Sequence, residues 1–300
     1  MPIAVPSAVA PWDASLTGAE HSLVLYGILV AGLALGAALV RMGATWRDVT
    51  PRYRAATLAG TQVIGVAFAS YVVIAVLFLL GYDRAGGMWR PNDGAAAAWS
   101  VRFMDWSVSV PLLVVELIAV SALAGPVARR LRFLGAGAAF LMILLGYLGG
   151  VVIDGGTNTT ALAIWGSIAS VFFAALYVVL IFTAVRTVPS LTPSARSPYR
   201  SAMLVLLLVL FVYPIVFGLQ GQVWGGGWTT IEQLAFCAAD LVAKVGFGTL
   251  LNRVARIRSA ADVAAGDDTH PESIWVDQRK LSDGVAPAVR LAEYGERFDR

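Results

Sequence analysis

Residues 231–251 read IEQLAFCAADLVAKVGFGTLL, and the reading of this stretch decides the fold. Its length suits one helical crossing of a bilayer, which takes about 20 residues. Yet it contains Glu232, Asp240 and Lys244. An ionisable side chain inside a crossing costs at least about 2.5–3.5 kcal/mol on insertion scales, so each one needs a reason to be there. Asp240 and Lys244 are four residues apart, which puts them on one helix face about 6 Å apart along the axis. Taken alone, they fit a helix-packing ion pair as well as a reactive site. A lone lysine in hydrocarbon also suits chemistry, because a desolvated amine loses its proton readily and can form a Schiff base.

A second charged crossing sharpens the choice. Residues 99–120 read WSVRFMDWSVSVPLLVVELIAV and carry Arg102, Asp105 and Glu116. Arg102 and Asp105 share a face at three residues' spacing. Asp105 and Glu116 lie almost three turns apart, pointing the same way with roughly 16 Å between them. Packing ion pairs do not account for carboxyls at several depths on two helices. Buried acid chains of this kind are typical of proton relays.

Working outward, seven stretches are long and apolar enough to cross, near 22–41, 55–81, 98–124, 133–153, 159–185, 201–219 and 228–251. Strands are disfavoured because the runs are long and lack a period of two. The expected class is all-α, a seven-transmembrane-helix bundle in the cell membrane. Arginines orient it. Arg41, Arg47, Arg52 and Arg54 flank the first connection, Arg129, Arg130 and Arg132 the third, and Arg186, Arg196 and Arg200 the fifth. Arg253, Arg256 and Arg258 follow the last crossing, whereas the opposite side offers only Arg84 and Arg90. The positive-inside rule then puts the N-terminus outside and the C-terminus in the cytoplasm.

Composition agrees. The 300 residues are 58% hydrophobic and 14% charged, against about a quarter charged in globular chains. That excludes a disordered chain and an ordinary soluble enzyme. The single cysteine, Cys237, rules out a disulfide framework or cysteine metal centre. The basic pI near 9.2 comes from arginines at loop ends, so no nucleic-acid face is expected. Lys244 and Lys280 are the only lysines. The organisation reads as an extracellular segment 1–21, a seven-helix domain 22–255 and a flexible cytoplasmic tail 256–300, in which 288–298 has the pattern of a short amphipathic helix but reads first as solvated chain. The N-terminal segment lacks the basic start of a signal peptide, so nothing there reads as cleaved. His21 and His270 fall near a membrane end and in the tail, outside any relay.

These two motifs resemble those of the microbial (type 1) rhodopsins. The string Asp240-Leu-Val-Ala-Lys244-Val-Gly-Phe-Gly is similar to the family's signature around its retinal lysine. Arg102-Phe-Met-Asp105-Trp106-Ser-Val-Ser109-Val-Pro111-Leu-Leu is similar to its third-helix signature, and Tyr213-Pro214 to a retinal-pocket dipeptide of the sixth helix. The similarity runs over all seven crossings, about residues 20–255.

The resemblance implies all-trans retinal bound at Lys244 as a protonated Schiff base, with Asp105 and Asp240 as counterions. It makes Asp105 the proton acceptor and Ser109 the hydroxyl that bonds it. Glu116 becomes the cytoplasmic proton donor, Arg102 an outer gate and Glu232 a proton-release group. Apolar neighbours of Glu116 (Val114, Val115, Leu117, Ile118) favour the uncharged acid at rest. Trp106, Pro111, Trp165, Leu210, Tyr213, Pro214 and Phe217 would line the pocket, and Tyr71 the outer part of it. No metal is implied.

The implied activity is light-driven outward proton pumping, not enzyme catalysis. A carboxylate at Asp105 argues against chloride, and Asp105, Ser109 and Glu116 lack the Asn-Asp-Gln pattern of sodium pumps. The alternative is a slow photosensory rhodopsin signalling through its tail or a partner. Departures are informative. Leu210 stands where a tryptophan is usual, which predicts altered colour and a slower cycle. Phe217 replaces the outer tryptophan. Gln220 and Gln222 are the nearest groups that could pair with Glu232. Trp165 falls where relatives with a carotenoid antenna have glycine, which argues against an antenna. Besides the lipid bilayer and protons, the family habit implies a homo-oligomer, a trimer or pentamer.

Overall fold

The computed structural model describes residues 10–220 and 222–284. The stretch 288–298, read as solvated chain with an amphipathic pattern, lies outside the described residues. Seven crossings are present, built from α1 (Gly18–Thr45), α2 (Arg54–Leu80), α3 (Asp93–Ala119), α4 (Gly125–Tyr147), α5 (Thr159–Thr187), α6 with α7 (Pro193–Leu210, Val212–Leu219) and α8 with α9 (Gly226–Asp240, Phe247–Ala265). Six of them are long and apolar enough to cross a membrane by composition alone; the exception is α3, with its internal charges. The chain is a multi-pass membrane protein. Side chains such as Val40 and Phe133, 75% and 79% exposed, suit hydrocarbon rather than water.

Local sequence sets the starts. Thr17 and Glu20 form a reciprocal capping box at α1. Asn92 and Asn158 accept from the backbone N–H of Gly94 and Ala161 to cap α3 and α5. The sixth crossing breaks at Phe211 because Pro214 has no N–H to give the carbonyl of Leu210. Consecutive crossings pack side by side, and α8 closes the ring against α1. The fold departs from a purely helical reading at two hairpins, β1–β2 (Tyr82–Ala85, Met88–Pro91) and β3–β4 (Ile274–Val276, Arg279–Ser282). At the first, Leu16 pairs with Trp89 and ties the N-terminal segment down.

The last crossing ends later than its apolarity suggests. Residues 256–265, read as tail, continue α9. Their polar groups are satisfied by the first connection: the backbone N–H of Thr50 donates to Ser259 Oγ at 3.0 Å, and Arg52 and Tyr53 Oη both donate to Asp262. The β3–β4 hairpin folds back on α9, and His270 Nε2 lies 2.9 Å from the Arg47 carbonyl. Among the described residues this part of the tail is docked, because polar side chains were counted as solvated when they in fact bond to a loop distant in sequence.

Candidate functional site

In the seventh crossing the helical bonding widens to a π-type turn over Leu241–Gly246, around Lys244. Lys244 Nζ lies 2.5 Å from Asp105 Oδ2 and 3.1 Å from Asp240 Oδ1, and all three side chains are buried. The contact within one helix face is the one the spacing predicts, and α3 brings Asp105 to it. Asp240 takes three more donors: Tyr71 Oη at 2.9 Å on Oδ2, with Trp106 Nε1 at 3.1 Å and Tyr213 Oη at 2.9 Å on Oδ1.

Asp105 is held differently. Its Oδ1 is buried without a hydrogen-bond partner, and so is Ser109 Oγ one turn along α3. Ser109 Oγ stays near the Asp105 carboxyl without closing a hydrogen bond of ordinary length among the described residues. The carboxylate is drawn instead to the charged amine, the stronger partner.

Arg102 is fully buried. Its Nε and Nη2 both donate to Gln233 Oε1, at 3.1 and 2.6 Å. Nη1 donates to Tyr71 Oη at 3.3 Å and stands 3.9 Å from Asp240 Oδ2, and Nη2 reaches Cys237 Sγ at 3.8 Å. Gln233, Cys237 and Asp240 follow an i, i+4, i+7 spacing, so one stripe of α8 faces the guanidinium. Two cations and two anions thus share the centre, which closes the charge balance that burial demands.

Glu232 is turned about 100° from Gln233. It is buried, its Oε2 has no hydrogen-bond partner, and no Arg102–Glu232 ion pair is formed within 4.0 Å among the described residues. Gln220 donates to the Gly150 carbonyl and Gln222 to the Gly218 carbonyl, so neither pairs with Glu232, although both line a cavity with it.

Glu116 lies far along α3, towards the end of the bundle that carries the C-terminus. Its Oε2 is also unpartnered. The carboxyl sits in a slot made by Gly60, Gly248 and Met42: a Cβ at Gly60 would stand 2.6 Å from Oε1, and one at Gly248 3.6 Å.

A cavity of about 410 Å³ opens on the N-terminal side of the centre. Trp106, Leu210, Tyr213, Pro214 and Phe217 line it as expected, joined by Trp99, Phe103 and Phe236. Pro111 and Trp165 do not line it. Pro111 is rotated off the face that carries Trp106 and Val110. Trp165 packs instead on Gly149, where an added Cβ would meet its Cβ at 2.5 Å. Its neighbour Gly166 faces the cavity and touches Phe217. The argument against an antenna, which rests on Trp165 taking that place, therefore loses its ground. Exposed Ala163, Ser167 and Ser170 also line the cavity, so it opens sideways at α5.

Sequence reasoning placed Tyr71 only loosely and did not single out Gln233. The i, i+4, i+7 stripe ending at Asp240 is the signal that would have found Gln233. Nothing local marks Tyr71, which is one of several polar or aromatic residues on α2.

Comparison with known proteins follows the same pattern. A family model described as bacteriorhodopsin-like protein matches residues 20–257. Bacteriorhodopsin-I of Haloarcula marismortui is 27% identical over 246 residues, covering 80% of this chain and 93% of the relative. Bacteriorhodopsin of Halobacterium salinarum is 28% identical over 250 residues, covering 78% and 88%. Among solved structures, thermophilic rhodopsin superposes with a TM-score of 0.74 at 26% identity, covering 83% of this chain and 98% of its own. Xanthorhodopsin, described as a light-driven ion pump with dual chromophore, gives 0.72 at 26% identity with the same coverage.

Proposed function

Because the chain belongs to the bacteriorhodopsin-like family of retinal-binding membrane proteins, we propose that it is a light-driven outward proton pump. Its relatives are light-driven ion transporters rather than enzymes. The residues present suit retinal: a single buried amine at Lys244, two facing carboxylates and an apolar, aromatic cavity of about 410 Å³ beside them. Retinal bound through Lys244 Nζ supplies light absorption and a proton that is given up and regained at that nitrogen.

The observation that carries the reading is the unequal treatment of the two carboxylates. Asp240 has donors on both oxygens, from Tyr71, Trp106, Tyr213 and Lys244. Asp105 has Lys244 on one oxygen and no hydrogen-bond partner on the other among the described residues. Asp105 is the acid with room for an arriving proton; Asp240 is fixed as the permanent counterion. Glu116, in its glycine slot on the other side of Lys244, holds the proton that returns to the Lys244 nitrogen. Arg102 separates Asp105 from Glu232, the acid on the exit side. With the N-terminus outside, as the arginine asymmetry indicates, acceptor outward and donor inward give net export.

The sensory alternative draws on one observation. The last crossing is tied through Ser259 and Asp262 to the first connection, so movement in it would reach the surface. Two measurements test the proposal. Borohydride reduction after adding all-trans retinal should fix the label to the peptide containing Lys244, as read by mass spectrometry. Illuminated cells should acidify their medium, and a photocycle lasting many seconds without acidification would favour the sensor.

A further inference from the structure

Arg102 stands between the counterions and Glu232, and its partners decide which of them it serves. Five polar contacts hold it: two N–H groups on Gln233 Oε1, Tyr71 Oη, Cys237 Sγ and, at 3.9 Å, Asp240 Oδ2. The three partners on α8 share one stripe of the helix, from which Glu232 is turned about 100° away. Glu232 is the adjacent residue of the same helix, yet it makes no ion pair with Arg102 and keeps an unpartnered oxygen. An amide oxygen suits this place. It accepts two N–H bonds without adding charge to a centre whose two cations and two anions already balance.

We propose that Gln233 is a positioning residue that latches Arg102 towards Asp240 and away from Glu232, so that opening this latch sets how soon a proton leaves through Glu232. The inference rests on the pump reading for its kinetic consequence, but the latch itself exists without retinal. When a proton settles on Asp105, the pull on Arg102 from that side weakens while Asp240 and Gln233 still hold it. Glu232 then keeps its proton until the guanidinium leaves the amide. Hydrogen bonds to a charged group are worth about 1.5–3 kcal/mol each, so losing the Gln233 bonds should speed release by about tenfold or more.

The test has two arms, using Gln233→Leu, Gln233→Met as an unbranched variant of similar length, and Gln233→Glu, which keeps an acceptor. In the first arm, apoprotein in detergent carries ¹⁵N-arginine, and the Arg102 Nε signal is identified by its loss in Arg102→Lys. The latch predicts that this signal moves in the Leu and Met variants and keeps its hydrogen-bonded position in Gln233→Glu. In the second arm, retinal-loaded protein receives a flash and a pH dye reports release. Release should come about tenfold earlier in the Leu and Met variants and no earlier in Gln233→Glu. An unmoved Arg102 signal, or wild-type release timing in both the Leu and Met variants, overturns the latch. If the wild-type protein itself gives no dye response, the pump reading fails and the arginine signal alone decides the latch.

Discussion

Lys244 Nζ lies 2.5 Å from Asp105 Oδ2, while the second oxygen of the same carboxylate is buried and bare. That relationship separates two acids which sequence alone can only call counterions. Asp105→Asn should leave the protein folded and coloured, with a shifted band, but abolish proton release. Asp240→Asn should behave otherwise. Like Asp105→Asn it leaves the centre one anion short, but it also turns an amide N–H group towards donors held by Asp240, either Tyr71 on one oxygen or Trp106 and Tyr213 on the other. A buried donor left without an acceptor costs about 1–3 kcal/mol, so thermal unfolding of Asp240→Asn should occur below that of Asp105→Asn. Equal losses of stability in the two variants would contradict the division of roles.

Glu116→Gln should retain the visible band and slow recovery of the resting state by about 10²-fold, the lower end of what a positioned proton donor contributes. The slot offers a companion test. At Gly60 even a Cβ would meet Glu116 Oε1 at 2.6 Å, and overpacking a tight site costs about 1–3 kcal/mol. Gly60→Val should therefore slow recovery too, by displacing the carboxyl, and lower the unfolding temperature. Flash spectroscopy with thermal melts checks both; recovery at the wild-type rate in Gly60→Val argues against the slot.

Leu210→Trp places a tryptophan where the family resemblance leads one to expect it. Leu210 is buried and lines the cavity opposite Trp106. A large ring there restricts motion of whatever occupies the cavity, so the variant should change colour and shorten the photocycle. An unchanged band and cycle would remove Leu210 from the account of colour and speed.

Much of this arrangement was legible in the sequence because membrane burial makes charge conspicuous. Asp240, Lys244, Arg102, Asp105 and Glu116 stand out against apolar helices, and their spacing fixes the shared faces. Crossing boundaries were less legible, since Asp93, Arg253 and Ser259 continue helices that apolarity ends too soon. Neutral residues carried no such contrast. Gln233 went unmarked, and Tyr71, expected only at the outer pocket, gains its partners when the fold brings α2 and α8 to Arg102. Trp165 and Gly166 show how fine the reading must be, because one residue on a helix is a turn of about 100°, enough to take Trp165 off the cavity that Gly166 lines.

The docked end of α9 gives a stability prediction independent of light. Ser259 Oγ is buried and accepts from the Thr50 N–H. Ser259→Ala leaves that buried donor unsatisfied, which costs about 1–3 kcal/mol. Apoprotein melts should fall accordingly while retinal still gives a visible band. A band lost along with the stability would mean that the docked end shapes the retinal site itself.

The central claim is that light drives protons outward through Asp105 and Lys244, and the external pH of illuminated cells expressing the chain with retinal tests it most directly. The account predicts acidification in the light that reverses in the dark, vanishes with an uncoupler and is absent in Asp105→Asn cells that retain colour. Alkalinisation, no response from coloured wild-type cells, or acidification undiminished in Asp105→Asn would contradict it.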